Sequence, residues 1–159
     1  MESFHPAQDS PLVLVDYAHT PDGLQQVLRS ARELCGGRLW CVFGCGGNRD
    51  AGKRPLMGAI AAALADEVVL TSDNPRDEDP GRIIADIVTG MPQPARAWVE
   101  ADRATAIAVA IAQAAADDVI VVAGKGHEDY QEVRGVRLPL SDRALVLAAL
   151  RQTQEQRRR

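Results

Sequence analysis

Short apolar runs alternate along the chain with segments whose apolar residues recur at helical spacing. Continuous apolar runs bounded by polar or glycine-rich segments are typical of strands buried on both faces of a parallel sheet. The pattern predicts such strands at residues 12–15, 39–43, 68–70 and 119–123, with a shorter strand at 98–99.

Helices are predicted between these strands from apolar spacing and from residues that favour helix ends. Thr20 is placed to cap a helix that starts at Pro21, and Gly36 and Gly37 end it. The apolar stripe of that helix comprises Leu24, Val27, Leu28, Ala31, Leu34 and Cys35. Further helices are predicted at 55–65, 81–90, 102–116 and 141–150, the last two capped by Asp102 and Ser141.

Strands that alternate with helices indicate an α/β protein, with a Rossmann-like, mainly parallel sheet flanked by helices. Residues 131–138, which turn near Gly135, predict a C-terminal hairpin of antiparallel strands. A single domain is expected over residues 12–150. Residues 1–11 are interpreted as a linker or domain junction, and residues 151–159 as a disordered tail.

Composition narrows the classes of protein to which the chain could belong. Its 159 residues suit one domain, and a net charge of −4 argues against general nucleic-acid binding. The three cysteines lack Cys-x-x-Cys spacing and a nearby histidine, so we expect reduced thiols and no zinc site. No apolar segment approaches the roughly 20 residues of a membrane span and no signal peptide is recognisable, so we expect a cytoplasmic protein that binds no membrane.

Polar and glycine-rich segments follow four of the predicted strands. They comprise residues 16–20, 44–54, 73–76 and 124–130. In a parallel sheet with right-handed crossovers, every strand-to-helix loop lies at the same edge, so these segments are expected to converge on one crevice. This convergence predicts a ligand site rather than four unrelated turns.

The segment from Asp73 to Arg76 is the centre of the predicted site. Asp73 can accept a hydrogen bond from an ammonium group, Arg76 can bind a carboxylate through two parallel bonds, and Asn74 can donate or accept. Pro75 fixes its own φ and restricts Asn74, which holds the group in one shape. The set complements the ammonium and carboxylate of a free amino acid. The alternative is a polar turn closed by a local Asp73–Arg76 pair.

Residues 47–54 nearly match the phosphate-loop pattern G-x-x-x-x-G-K-S/T, but Arg54 occupies the position of the magnesium-binding hydroxyl. The loop is therefore not interpreted as a nucleoside-triphosphatase site. Its glycines, the following helix N-terminus and the cations Arg49, Lys53 and Arg54 still favour an anion, either carboxylate or phosphate. The alternative is a glycine-rich turn whose cations are solvated.

The two remaining loops offer complementary groups. Gly124 allows the backbone to approach a ligand closely, and Glu128 offers a carboxylate to an ammonium group. Asp16 and His19 could hold a ribose hydroxyl and a phosphate, respectively, although Asp16 could equally cap the turn between strand and helix.

Taken in order, these segments resemble the C-terminal domain of the Mur ligase family, over residues 12–150. The resemblance rests on Asp-Tyr-Ala-His-Thr-Pro-Asp at 16–22, Phe-Gly-Cys-Gly-Gly-Asn-Arg-Asp at 43–50, Gly-Lys-Arg-Pro at 52–55, Asp-Asn-Pro-Arg at 73–76, Gly-Lys-Gly-His-Glu-Asp-Tyr-Gln at 124–131 and Ser-Asp-Arg at 141–143. It is strongest to the members that add meso-diaminopimelate. Members that add lysine carry a different residue at the position of Arg76, which fits the absence of a second carboxylate in lysine.

The resemblance implies the amino-acid-binding part, and part of the ATP-binding part, of an ATP-dependent amide ligase of peptidoglycan synthesis. In such a ligase, ATP phosphorylates the carboxylate of UDP-MurNAc-L-Ala-D-Glu, and the amine of meso-diaminopimelate attacks the acyl phosphate. The resemblance also implies that Asp16 and His19 face the nucleotide. It places meso-diaminopimelate against Arg49, Asp73, Asn74, Pro75, Arg76, Gly124 and Glu128.

The family's N-terminal and central domains, which carry the phosphate loop, the magnesium ligands and a modified lysine, have no counterpart in this sequence. ATP and Mg²⁺ are therefore expected in a full-length enzyme, and the isolated domain is expected to be inactive, with no catalytic or metal-binding residue. Two alternatives are left open. One is a stand-alone module that binds an amino acid or nucleotide; the other is a related ligase domain that adds another amino acid, against which Arg76 argues.

Overall fold

Six strands form the main sheet of the computed structural model, which describes residues 1–159 apart from the side chain of residue 95. They are β1 (Glu2–Phe4), β2 (Leu12–Asp16), β3 (Leu39–Phe43), β4 (Glu67–Leu70), β5 (Trp98–Val99) and β6 (Val119–Ala123). Their order is β1-β2-β6-β3-β4-β5, and only β1 pairs antiparallel to its neighbour. A separate antiparallel hairpin consists of β7 (Tyr130–Val133) and β8 (Val136–Pro139). The predicted fold class is confirmed.

Helices cover both faces of this sheet. They are α1 (Pro21–Glu33), α2 (Lys53–Leu64), α3 (Pro80–Val88), α4 (Arg103–Gln113) and α5 (Asp142–Arg157), with a 3₁₀ turn at Pro94–Arg96. Side chains alternate along each strand, so Cys41 and Phe43 pack with the helices α1 to α3, whereas Trp40 and Val42 pack with α4 and α5. This two-sided burial explains why the strands are continuously apolar in sequence.

The predicted helix caps are confirmed by their hydrogen bonds. The side chains of Thr20, Asp102 and Ser141 accept from backbone N–H groups three residues further on. Several helix bounds differ from the prediction, among them those of α3, α4 and α5, which are Pro80–Val88, Arg103–Gln113 and Asp142–Arg157. Helix α2 starts at Lys53 rather than 55, because Pro55 is tolerated in the first turn, and Leu34 is exposed because it forms the C-cap of α1 rather than part of its stripe.

Both chain ends contain more regular secondary structure than was predicted from the sequence. The supposed linker 1–11 contains β1, which pairs with β2, and the supposed disordered tail 151–159 continues α5 as far as Arg157. The extension is built from good helix formers and is held in place because Thr153 is buried and Arg157 donates to the carbonyl of Ala114. The prediction of a disordered tail was wrong for 151–157. All three cysteines are free thiols.

The parallel strands β2, β3, β4 and β6 place their carboxyl ends at one edge of the sheet. The loops that follow these strands therefore start side by side, as the sequence predicted. Of the helices that the structure describes, none has both the length and the apolar character needed to cross a bilayer.

Candidate functional site

A pocket of about 400 Å³ opens at the carboxyl edge of the sheet. All four predicted loops contribute to it. Its lining comprises Tyr17 and His19 after β2, Gly46, Arg49, Asp50 and Lys53 after β3, Asp73, Asn74 and Arg76 after β4, and Gly124 and Glu128 after β6. The predicted convergence of the loops is thus confirmed.

A larger hollow of about 540 Å³ lies at the opposite, amino-terminal edge of the strands. Its carboxylates are already paired, Asp66 with Arg32 and Glu67 with Arg38, each at 2.9 Å. Because both of its carboxylates are already paired, this hollow offers no free acid to the ammonium group of a ligand. We therefore take the pocket at the carboxyl edge as the candidate functional site.

The predicted site residues fall into two groups. Of the seven residues predicted to bind an amino acid, all but Pro75 line the pocket, and His19 lines it as well. Pro75 is buried, and its carbonyl packs against Gly47. Asp16 lies outside this pocket, where its Oδ2 accepts a hydrogen bond from the N–H of Ala18 at 2.9 Å. That bond is the turn-capping alternative considered from the sequence.

Arg76 is held in an uncommon backbone conformation, with φ at 52°. Its Nη1 donates to the carbonyl of Gly47 at 2.9 Å, and its Nε lies 3.4 Å from Glu132 Oε2. Asp73 pairs instead with Lys125, whose Nζ is 3.2 Å from Asp73 Oδ1. The alternative of a turn closed by a local Asp73–Arg76 pair is therefore wrong.

Lys125 is a site residue whose role sequence reasoning missed. Its side chain is fully buried, and its Nζ donates to Asn74 Oδ1 at 2.7 Å and to the carbonyl of Tyr130 at 2.9 Å. Burial lowers the pKa of Lys125 below its usual value, although the nearby Asp73 carboxylate opposes that change. The available signal was a lysine directly after the most apolar strand, between two glycines.

Arg54 does not take the anion-binding role suggested by its sequence position. Its side chain is buried, and its guanidinium donates to Glu78, Asp86 and the carbonyl of Gly46. Arg54 therefore fastens the glycine-rich loop to α3. The cations left to face the pocket from this loop are Arg49 and Lys53, and Lys53 Nζ donates to the carbonyl of His19 at 2.8 Å.

Two glycines allow the loop after β3 to pack directly on the loop after β4. A Cβ atom at Gly44 would lie 2.1 Å from the carbonyl oxygen of Thr71, and one at Gly47 would lie 1.9 Å from that of Pro75. Any side chain at either position would push the two loops apart. The side chains of Arg49 and Arg76 both lie next to Gly46, where an added Cβ atom would be 3.7 Å from Arg49 Cγ and 2.9 Å from Arg76 Nη1.

A buried ion pair ties the ends of two strands together beneath the pocket. Arg103 donates twice to Asp142, at 2.7 Å each, and both side chains are fully buried. The same guanidinium donates to the carbonyls of Ser72 and Ala123. These carbonyls come directly before Asp73 and Gly124, so Arg103 fixes the starting points of two site loops.

The hairpin β7–β8 supports the Asp73–Arg76 segment from the other side. Gln131 donates to the carbonyl of Asp73, and the N–H of Glu132 donates to Asn74 Oδ1. The backbone of Arg76 pairs on both sides, its N–H with the carbonyl of Glu132 and its carbonyl with the N–H of Arg134. The hairpin is therefore part of the site, although it does not line the pocket.

Comparisons with known proteins point to one family. The family model for the Mur ligase glutamate ligase domain matches residues 1–126. A UDP-N-acetylmuramoyl-L-alanyl-D-glutamate–2,6-diaminopimelate ligase from Synechococcus sp. (strain WH7803) is 60% identical over 145 residues, which is 91% of this chain and 29% of that relative.

Solved structures agree with this result. A structure of a ligase with the same name superposes with a TM-score of 0.91 at 47% identity, over 97% of this chain and 31% of that one. A Mycobacterium tuberculosis folylpolyglutamate synthase complexed with ADP superposes with a TM-score of 0.60 at 25% identity, over 77% of this chain and 28% of that one. The chain thus spans less than a third of these relatives.

Proposed function

Because the chain belongs to the Mur ligase family, we propose that it is the amino-acid-binding domain of an ATP-dependent ligase that joins meso-diaminopimelate to UDP-MurNAc-L-Ala-D-Glu. The chain corresponds to 29% of the length of the Synechococcus relative. The proposal therefore assigns the whole reaction to a full-length ligase of peptidoglycan synthesis, and the amino-acid pocket to this domain.

The observation that carries the proposal is the distribution of charge around the pocket. Asp73 and Glu128 both lie close to Lys125, with Asp73 Oδ2 facing Gly124, whereas Arg49 and Arg76 both lie next to Gly46. The ammonium group of one amino-acid centre would bind between the two acids, and its carboxylate would bind Arg76 with help from Arg49. The second amino group of the diamino acid would then be left to react.

A smaller set of residues in this domain would contact the nucleotide. His19 and Lys53 line the same pocket next to the N-terminus of α2, where they would face a phosphate of ATP. ATP would supply the phosphoryl group that activates the substrate carboxylate. Among the described residues, no cluster of three or more histidine, cysteine or acidic side chains could hold a metal, so Mg²⁺ is assigned no residue here.

A chimaeric ligase tests this function directly. In this chimaera, the chain replaces the matching segment of the Synechococcus ligase, and the rest of that ligase supplies the domains that bind the UDP-linked substrate and ATP. We expect ATP-dependent joining of meso-diaminopimelate to UDP-MurNAc-L-Ala-D-Glu, and much weaker use of L-lysine. Product formation is measured chromatographically with each amino acid.

Two controls separate the alternatives. The chain alone should release no ADP, because the residues that bind and activate the triphosphate would lie in the rest of the ligase. A folded chimaera that uses another amino acid, and not meso-diaminopimelate, would show a related ligase domain. Tight binding of an amino acid by the isolated chain, with an inactive chimaera, would favour a stand-alone module.

A further inference from the structure

Lys125 is a charged residue of the site to which the proposed amino-acid contacts give no role. Its side chain is fully buried beneath the pocket. Burying an ammonium group is costly unless it is paired and hydrogen-bonded. A lysine at this position therefore needs a reason beyond filling space, which an apolar side chain would do at lower cost.

The surroundings of Lys125 match a charged ammonium group. Three oxygens lie within 3.2 Å of Nζ, namely Asn74 Oδ1 at 2.7 Å, the carbonyl of Tyr130 at 2.9 Å and Asp73 Oδ1 at 3.2 Å. An ammonium group has three N–H donors, whereas a neutral amine has two. Glu128 Oε1 follows at 3.8 Å, so the lysine joins two acids and an amide of the pocket.

The contact with Lys125 also decides how Asn74 can act. Asn74 Oδ1 accepts from both Lys125 Nζ and the N–H of Glu132. With its oxygen used in this way, the amide offers its Nδ2 group as a donor to the pocket that Asn74 lines. Asn74 would then bind an oxygen of the ligand rather than its ammonium group.

Lys125 also sets the net charge of the acidic half of the pocket, by which we mean the group formed by Asp73, Glu128 and Lys125. Asp73 and Glu128 carry two negative charges and Lys125 one positive charge, which leaves a net charge of −1. One ammonium group of a ligand balances this charge. Arg103 is the next cation behind Lys125, and Asp142 already neutralises it through their ion pair.

We propose that Lys125 is a positioning residue of the amino-acid site, which orients Asp73 and Asn74 and sets the acidic half of the pocket to the charge of one ligand ammonium group. This inference rests on the proposed function. It adds that the specificity for an amino acid depends on a residue that the ligand does not touch.

The test uses the chimaeric ligase with Lys125→Met, which keeps most of the side-chain volume and removes the charge. Loss of charge-assisted hydrogen bonds should raise the KM for meso-diaminopimelate by about 10- to 100-fold and leave that for ATP within about twofold. Without the lysine, Asp73 and Glu128 repel each other and one takes up a proton more readily. Protonation returns the acidic half of the variant from a net charge of −2 to −1, so the KM of the variant should fall towards that of the unsubstituted ligase as the pH falls from about 8 to about 6.

A double variant isolates the charge effect. Lys125→Met with Asp73→Asn returns the acidic half to a net charge of −1, carried by Glu128. The pH dependence of KM should then largely disappear, although affinity stays lower than in the unsubstituted ligase. The matched structural control is Ile111→Ala, a fully buried core residue on α4 away from the pocket, which should lower the melting temperature and leave KM unchanged.

Two results would overturn the inference. One is a Lys125→Met ligase whose KM is unchanged, whether or not its melting temperature falls as that of Ile111→Ala does. The other is a rise in KM that does not vary with pH. If Lys125→Met does not fold, NMR of lysine side-chain nitrogens in the unsubstituted protein replaces it. The Lys125 ammonium signal should shift with meso-diaminopimelate and not with ATP; the opposite would reject the role. Failure of the unsubstituted chimaera to use meso-diaminopimelate would instead reject the proposed function.

Discussion

At the scale of single residues, Arg76 combines a recognition group with a strained backbone. Its φ of 52° lies in the left-handed region, which costs a residue with a side chain roughly 1–2 kcal/mol. Such strain persists only where the surroundings over-determine it. Here the backbone of Arg76 pairs on both sides with the hairpin, and its Nη1 binds the carbonyl of Gly47. The result is a guanidinium group fixed at the pocket wall.

Replacing Arg76 should separate recognition from support of the turn. In the chimaeric ligase, Arg76→Ala should raise the KM for meso-diaminopimelate by about thirtyfold to a few thousandfold, because loss of one partner of a buried charge pair costs about 2–5 kcal/mol. Arg76→Lys should be impaired as well, since an ammonium group lacks the planar fork, but less than Arg76→Ala because the positive charge is kept. The use of L-lysine should fall far less than that of meso-diaminopimelate.

Arg76→Gly is the matched control, since glycine adopts this φ without strain. Arg76→Gly should lose as much selectivity between the two amino acids as Arg76→Ala does, and it should have a higher melting temperature than Arg76→Ala. If the ratio of specificity constants for the two amino acids stayed constant while the melting temperature fell, Arg76 would have only a structural role.

We expect the use of ATP to depend on the side chain of His19 rather than on that of Asp16. His19 lines the pocket, with its Nδ1 3.0 Å from the carbonyl of Tyr17, whereas Asp16 caps the preceding turn. We expect His19→Ala to raise the KM for ATP in the chimaera and to leave that for meso-diaminopimelate nearly unchanged. Steady-state kinetics with each substrate varied in turn measure both. A loss confined to meso-diaminopimelate would contradict the nucleotide role of His19.

At the scale of elements, the β7–β8 hairpin controls the shape of the Asp73–Arg76 segment. Four of its hydrogen bonds reach that segment, and the Glu132 carboxylate is paired with Arg76 Nε. An isolated hairpin is at best marginally stable in water. Its contacts with the segment therefore stabilise both partners.

Glu132→Gln should loosen Arg76 without removing it. The change keeps the shape of the side chain and deletes the charge that holds Arg76 Nε, so the guanidinium should sample more orientations. We expect the preference for meso-diaminopimelate over L-lysine to fall by about two- to fivefold, which corresponds to the free energy of a partly exposed ion pair. Val136→Thr, on an exposed position of the same hairpin, is the control and should leave the preference intact. Equal effects of the two variants would exclude this role for Glu132.

At the scale of the whole molecule, the Arg103–Asp142 pair joins the two helices on one face to the carboxyl ends of β4 and β6. Asp142 opens α5, Arg103 opens α4, and the arginine also donates to the carbonyl of Ser72, just beyond β4, and to that of Ala123, the last residue of β6. The pair thus couples the stability of the domain to the geometry of its pocket.

Breaking this pair should destabilise the domain strongly. Arg103→Met leaves the buried Asp142 carboxylate without its partner, which should lower the free energy of unfolding by about 3–5 kcal/mol. The double variant Arg103→Met with Asp142→Leu should lose less than the sum of the single variants, because neither charge is then left buried alone. Urea denaturation measures each value.

The exposed pair Arg32–Asp66 provides the comparison. Arg32→Met should cost no more than about 1 kcal/mol, since solvent screens an exposed pair. If Arg103→Met cost as little as Arg32→Met, the buried pair would not be the link between the helices and the strand ends.

The sequence alone determined the fold class, the four central strands and the loops that form the site. These features follow from local rules, namely continuous apolar runs, capping residues and the common edge of parallel strands. Asp73, Arg76 and Glu128 could be assigned to a ligand site because their loops follow buried strands. The motifs around them also carried the resemblance to the family.

Tertiary structure alone decided which charged groups face a ligand and which face each other. The local sequence does not distinguish Arg54 and Arg103 from arginines that are exposed to solvent. Both are nevertheless buried against acidic residues more than twenty positions away in the chain. The same is true of Lys125 and Asp73, which are joined across the sheet edge. Partners so distant in sequence leave no local pattern, because their pairing depends on how the strands are ordered. The order β2-β6-β3-β4 brings them together and thereby separates the supporting charges of the site from its recognition charges.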